Sequence, residues 1–260
     1  MSDADLRDLA RTIAFERDVV TRTSTRIMPF AWGSGYFNDG YPRRWDSNFL
    51  WVDPPGRADA TDLIDAAERM LGGIGLAHRE IRVDDDAYGA SLVPAFRAAG
   101  YNTDRLVVMA SRADPKPSET GIPVEEVDLD SLRPTREIIT RREPWGTNEE
   151  TVQMLVAFSG ELVREVGARF YCARVEGEIA SVCELYLVGD VGQVESVYTL
   201  EEFRGRGLAR AVVRHAATVA RSEGAELVFI QALDEDWPKE LYAELGFQPI
   251  GHVWWFVKPS

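Results

Sequence analysis

Residues 197–210 read VYTLEEFRGRGLAR, and the rest of the chain is best read outward from them. A strand-like run through Val197, Tyr198 and Thr199 leads to a turn with glycines at 205 and 207, and a helical pattern follows. Glycine lets a backbone approach a ligand with no Cβ in the way. The N–H groups of a first helical turn have no partner within their own helix, and the helix dipole adds positive potential there. A phosphate-bearing ligand is therefore expected at Gly205, Arg206, Gly207, Leu208, Ala209 and Arg210. Two common phosphate loops do not fit. A P-loop needs a lysine followed by serine or threonine, which this turn lacks. A dinucleotide loop needs a glycine three residues after Gly207, where Arg210 stands, and it belongs to a parallel sheet.

The flanking text is not that of a parallel sheet. Three strand-like runs, 168–175, 179–188 and 193–200, are separated by Glu-Gly and Gly-Asp turn signals and predict an antiparallel meander. A helix is expected over 207–222, with Leu208, Ala211, Val212, Ala216 and Val219 on one face. A buried strand follows at 226–232. A short helix at 237–245 has Asp236 as its expected cap, and a last strand spans 247–257. Upstream, 122–127 reads as a strand, 129–142 as a helix interrupted near Pro134, and 148–166 as a longer helix.

Arg204, Gly207 and Ala209 fill the pattern [QR]-x-x-G-x-[GA], and Leu241, Tyr242, Gly246 and Phe247 fill L-Y-x-x-x-G-F one strand later. In these motifs and their order the chain resembles the GCN5-related N-acetyltransferase (GNAT) superfamily, strongly over 194–247 and in outline over 122–258. The resemblance implies an acyltransferase that moves an acetyl group from acetyl-CoA to an amine by direct attack in a ternary complex. It implies that the backbone of Val197, Tyr198 and Thr199 pairs with the pantetheine arm, and that Arg204 and residues 205–210 take the pyrophosphate. It implies that Tyr242 protonates the departing thiolate. A phenol of ordinary pKa near 10 suits that task. Glu195, two residues before the slot, is the first candidate for the base, and Glu184 on the preceding strand is the second. Each alternatively faces water, and a β-bulge would decide which way Glu195 points. Many members carry an asparagine before the tyrosine helix, where this chain has Asp234, Glu235, Asp236 and Trp237.

The first half ends in a similar order, with a helix at 62–71, a strand at 77–84, a helix at 88–99 and a strand at 105–111. AFRAAGY, ending at Tyr101, parallels LYAELGF, ending at Phe247, and suggests an internal duplication. Gly72, Gly73 and Gly75 follow a helix rather than precede one, so the first copy resembles a degenerate one. The fold expected is α/β of the α+β type: two GNAT-like halves, each a mixed, mostly antiparallel sheet flanked by helices. Domain limits are placed at 1–112 and 122–260, with the Pro-containing linker ADPKPSETG at 113–121. An aromatic stretch from Phe30 to Trp51, with Asp39, Asp46 and Asp53 among the rings, reads either as core and turn packing or as the lining of an amine cleft.

Composition narrows the partners. Asp and Glu total 43 against 29 Lys and Arg, a formal net charge of −14. With no dense basic run, neither a nucleic-acid face nor a polybasic membrane anchor is expected. An acidic exterior favours the approach of cationic ligands such as amines, and the resemblance implies a small-molecule or peptide amine as acceptor. The opening MSDADLRDLA lacks the basic and apolar segments of a secretory signal. No apolar run reaches the roughly 20 residues of a membrane span. A cytoplasmic location is expected, with a homodimer among the options. Cys172, Cys183 and the scattered His78, His215 and His252 have no zinc spacing, so no metal is expected. Two rival readings remain: a non-catalytic acyl-CoA sensor or interaction module, and a nucleotide-binding protein.

Overall fold

The structure, a computed structural model, describes residues 2–113, 121–146 and 148–259. Most of the expected linker, residues 114–120, lies outside the described residues. The chain forms two compact units that are discontinuous in sequence: Met1–Val108, Ala232–Asp236 and Ile250–Ser260 make the first, and Met109–Gln231 and Trp237–Pro249 the second.

The first unit opens with α1 (Asp3–Thr23), started by a capping box in which the Ser2 hydroxyl accepts from the Asp5 N–H and the Asp5 carboxylate accepts from the Ser2 N–H. A meander follows, of β1 (Arg26–Phe30), β2 (Gly33–Phe37) and β3 (Phe49–Val52), all antiparallel. Gly33 is required here, because a Cβ would lie 2.0 Å from the Trp51 carbonyl oxygen on β3. Then come α2 (Ala60–Met70), β4 (Arg79–Val83), α3 (Asp86–Ala98) and β5 (Asn102–Ser111). Strand β4 runs parallel to β3. The aromatic stretch is packing rather than a cleft lining: Tyr36, Phe37, Phe49 and Trp51 are buried, and Trp45 stacks on buried His78 at 5.3 Å. Asp53 is taken up by Arg17 at 2.6 Å and Asp39 by Arg26 at 3.1 Å.

The second unit runs β6 (Val124–Val127), α4 (Leu129–Arg142), α5 (Glu149–Val166), β7 (Arg169–Val175), β8 (Glu178–Val188), β9 (Val191–Thr199), α6 (Leu208–Ser222), β10 (Leu227–Leu233) and α7 (Pro238–Glu244). Its strands lie in the order β10-β9-β8-β7-β6. The predicted meander is present as β7, β8 and β9, turned at Glu176 and Gly177, both of positive φ. Pro134 does not interrupt α4 as expected; a proline removes one N–H and the helix continues around it. The buried stripe of α6, from Leu208 through Ala211, Val212, Val213, Ala216, Ala217 and Ala220, packs on β8 and β9. Gly192 permits that approach, since a Cβ there would lie 3.2 Å from the Ala220 Cβ.

The two units share one element order as far as the second helix: meander, helix, parallel strand, helix. The last strand, β11 (Gln248–Lys258), departs from the expected break at 112/122. From Ile250 onward it belongs to the first unit, where Trp254–Lys258 pair antiparallel with Arg79–Val83 of β4. Trp254 and Phe256 complete the core against Leu92 and Phe96 of α3, and the Trp254 Nε1–H donates to the Asp86 carboxylate at 2.9 Å. This packing uses Gly89 of α3, where a Cβ would lie 2.2 Å from the Trp254 ring. Alanine normally favours a helix interior over glycine by about 1 kcal/mol. Gly89→Ala should nevertheless destabilise the protein by about 1–3 kcal/mol through overpacking, read as a lower urea-unfolding midpoint.

Candidate active site

Strand β9 is held on both sides only at its start. Its parallel ladder with β10 covers Val191–Gln193 against Leu227–Phe229 and then stops, while the antiparallel ladder with β8 continues to Thr199. Residues Val194–Thr199 therefore diverge from β10 with one edge outside the ladder, and this stretch contains Val197, Tyr198 and Thr199. The second ladder carries a bulge. Glu184 faces Glu195 and Val182 faces Tyr198, so β9 carries one residue more than β8 across that interval. Ser196, the non-glycine residue with φ +51°, supplies the left-handed turn of the bulge. Its N–H donates to Glu195 Oε1 at 3.1 Å.

After Thr199 a single turn of 3-10 helix, Glu201–Phe203, leads to Arg204 in extended conformation, whose Nε–H donates to the Thr199 carbonyl at 3.2 Å. Gly205 and Gly207 then take φ of +75° and +78°, which only glycine adopts freely. Gly207 caps α6 without any side-chain bond, and the first turn of α6 carries no acidic residue. The other helices of comparable length begin differently: Ser2, Asp59, Asp85, Asp128 and Asn148 each accept an N–H of the helix they start. The first turn of α6 thus has no side-chain cap, and a helix start of that kind is the geometry in which backbone N–H groups can hold an anion. Arg142 at the end of α4 clamps the turn through both oxygens of Glu202, at 2.8 and 2.9 Å, and holds the Glu202 carboxyl down to about 2.

Arg210, in the first turn of α6, pairs with Glu244 of α7. That pair brings α7 to the same end of α6, with Tyr242 two residues earlier and 6% exposed. The Tyr242 ring packs edge-on against Phe247, 6.4 Å between centroids, and its carbonyl accepts the Phe247 N–H as the chain turns through Gly246. Asp236 is not the cap of this helix. Trp237 occupies that position with no side-chain bond, and the Asp236 N–H closes a turn onto the Leu233 carbonyl. Asp234 is taken up by Arg105 at 2.7 Å.

Glu184 and Glu195 share one face but not one environment. Glu184 is 2% exposed, paired with Arg136 of α4 and accepting the Tyr186 hydroxyl. It is a buried ion pair, not a solvated side chain. Glu195 is half-buried at the bulge and accepts from the Gln193 side-chain amide at 2.9 Å. Arg136, Tyr186 and Gln193 were missed by sequence reasoning. The one signal for them was the period-two spacing that puts 184 with 186 and 193 with 195. The thiols stand apart from this chemistry: Cys172 and Cys183 are both buried, and burial pushes Cys172 up to about 11 and Cys183 higher still. No group of His, Cys, Asp or Glu among the described residues is arranged to hold a metal, and no helix among them is long and apolar enough to cross a membrane.

Comparison with known proteins places this geometry. Among curated proteins, a provisionally named [ribosomal protein bS18]-alanine N-acetyltransferase of Bacillus subtilis (strain 168) is 25% identical over 96 residues, 36% of this chain and 64% of that protein. An uncharacterized N-acetyltransferase of Chlorobaculum tepidum is 30% identical over 78 residues, 29% of this chain and 50% of that protein. The chain thus spans less than two thirds of the length of these relatives. A GCN5-related N-acetyltransferase from Kribbella flavida shares the fold with a TM-score of 0.64 at 17% identity, over 96% of this chain and 95% of that one. A tandem GNAT protein from the clavulanic acid biosynthesis pathway does so with a TM-score of 0.57 at 15% identity, over 88% and 79%. The profile of the acetyltransferase (GNAT) family matches residues 132–247, which contain the bulged strand, the uncapped helix and Tyr242, and this part of the chain is similar to that family.

Proposed function

We propose that the second unit transfers an acetyl group from acetyl-CoA to a primary amine by direct attack within a ternary complex. The observation that carries this reading is the uncapped, glycine-opened α6 at the end of a strand that diverges from its neighbour. The first-turn N–H groups of α6 would take the diphosphate, with Arg204, Arg206 and Arg210 in the same turn. The freed edge of Val197–Thr199 would pair with the pantetheine amides as an added strand.

Each side chain then has one task. Glu195 accepts the proton that the amine gives up as its nitrogen bonds to the thioester carbonyl carbon. Backbone N–H groups of the slot strand donate to the carbonyl oxygen as negative charge grows there. Tyr242 gives its proton to the sulfur as the carbon–sulfur bond breaks. In this reading Glu184, buried and paired with Arg136, is not the base. The acceptor is a small-molecule or peptide amine, and the peptide option is supported by the name of the Bacillus relative.

The first unit is, in the same proposal, a degenerate copy. Its α2 stands where α6 stands in the shared element order, but there the Asp59 carboxylate already accepts the Asp62 N–H at 2.9 Å, and Asp62 adds charge to the first turn. A diphosphate would meet two carboxylates in place of open donors. Strand β3 also stays paired with β4 to its end at Val52. Calorimetry should therefore find one acetyl-CoA per chain; two equivalent sites would refute the degenerate copy.

The loop is tested at Gly205, where a Cβ meets nothing within 4 Å and aspartate and asparagine both tolerate the left-handed φ. Gly205→Asp should weaken acetyl-CoA by about tenfold or more at low salt, and the uncharged Gly205→Asn by much less. For turnover, Tyr242→Phe should lower kcat by about a hundredfold with acetyl-CoA affinity kept, measured as free thiol released with a panel of polyamines, aminoglycosides, amino acids and short peptides. Acetyl-CoA bound tightly but never turned over would favour a sensor, and ATP or NAD bound more tightly than acetyl-CoA would favour a nucleotide-binding protein.

A further inference from the structure

Glu195 lies on the part of β9 that has left β10, two residues beyond the last paired position. That last position is Gln193, held by Phe229 on one side and Tyr186 on the other and only 5% exposed. A buried amide is costly unless its donors and acceptors are used. Gln193 spends one donor on Glu195 Oε2 at 2.9 Å, while the Ser196 N–H reaches Oε1 at 3.1 Å. One donor thus comes from the rigid, doubly paired part of the strand and the other from the bulge. An amide, being neutral, orients a carboxylate with a smaller pull on its basicity than a guanidinium exerts. Glu184, across the ladder from Glu195, has the guanidinium of Arg136 instead.

Resting on the transferase reading above, we propose that Gln193 is a positioning residue for Glu195, fixing the carboxylate at the Ser196 bulge in the orientation from which it takes the acceptor's proton. The role depends on the Gln193–Glu195 spacing on the anchored end of β9, and it makes Gln193 a determinant of rate rather than of cofactor affinity.

The test uses the full chain with Gln193→Met, which keeps the length of the side chain and removes the amide, and Gln193→Asn, which keeps the amide and shortens its reach. Carboxyl carbon NMR follows the titration of Glu195, its signal assigned with Glu195→Gln. Losing a donor to the ionised form raises a carboxyl pKa, so Gln193→Met should move the Glu195 titration up by about 0.5–1 pH unit. The acid limb of kcat/KM should move up with it, because the base must be ionised to work. We expect kcat to fall about tenfold, acetyl-CoA affinity to stay within about twofold, and Gln193→Met to add nothing in the Glu195→Gln background. Gln193→Asn should show the same signs in smaller measure. An unmoved Glu195 titration, or a loss of kcat as large without Glu195 as with it, overturns the proposal. Should the parent release no thiol with any amine, the transferase reading fails instead, and the NMR titration still decides whether Gln193 holds Glu195.

Discussion

Strand β9 has a hydrogen-bonded neighbour on both sides for three residues and on one side for the rest of its length. Everything in the candidate site depends on that asymmetry. Up to Gln193 the strand is interior sheet, fixed by two ladders. Beyond it the backbone keeps its ladder with β8 and has none with β10. In the proposed reading the edge without a ladder takes the extended arm of the cofactor as an added strand. The bulge at Ser196 adds a change of facing within the same few residues.

The next constraint is where α6 begins. Gly192 lets Ala220 approach the start of β9, which presses the helix onto the strand along its length. The uncapped end of α6 must then lie at the far end of β9, beside the freed edge. The ion pairs around this point are orienting rather than strongly stabilising. Arg142–Glu202 and Arg210–Glu244 are largely exposed, and solvent screening keeps such pairs weak. Their effect is to tie the loop to the end of α4 and α7 to the first turn of α6. Arg136–Glu184 is of another kind, buried and requiring its hydroxyl partner Tyr186 to offset desolvation.

The first unit repeats the element order and lacks these features. Its helix after the meander is capped by its own aspartate, and its parallel pair remains closed at the end of β3. In the proposed reading the difference between a binding unit and a degenerate copy lies in one cap and a few ladder bonds. Its own stability has another source: the chain's last strand, whose Trp254 fills the space left open by a glycine in α3.

The sequence alone was enough for the α+β class, the second-half elements to within a few residues, the glycine-opened helix and the motif around Tyr242. These rest on local physics: turn dipeptides, apolar periodicity and the conformational freedom of glycine. The elements it hid are those whose reason is not local. Helix α1 is charge-dense and buries only Asp8, Thr12 and Phe15, and β2 begins Gly-Ser-Gly and exists because β3 must come close. Asp236 has the chemistry of a cap but lies one residue too early for the helix that forms. Only the tertiary structure decided that β11 closes the first unit, that Glu184 is bound to Arg136 while Glu195 sits at a bulge, and that Gln193 reaches it. Strand partners and register are set by contacts between residues far apart in the chain, and no local pattern of a strand states which neighbour it will have or where it will lose one.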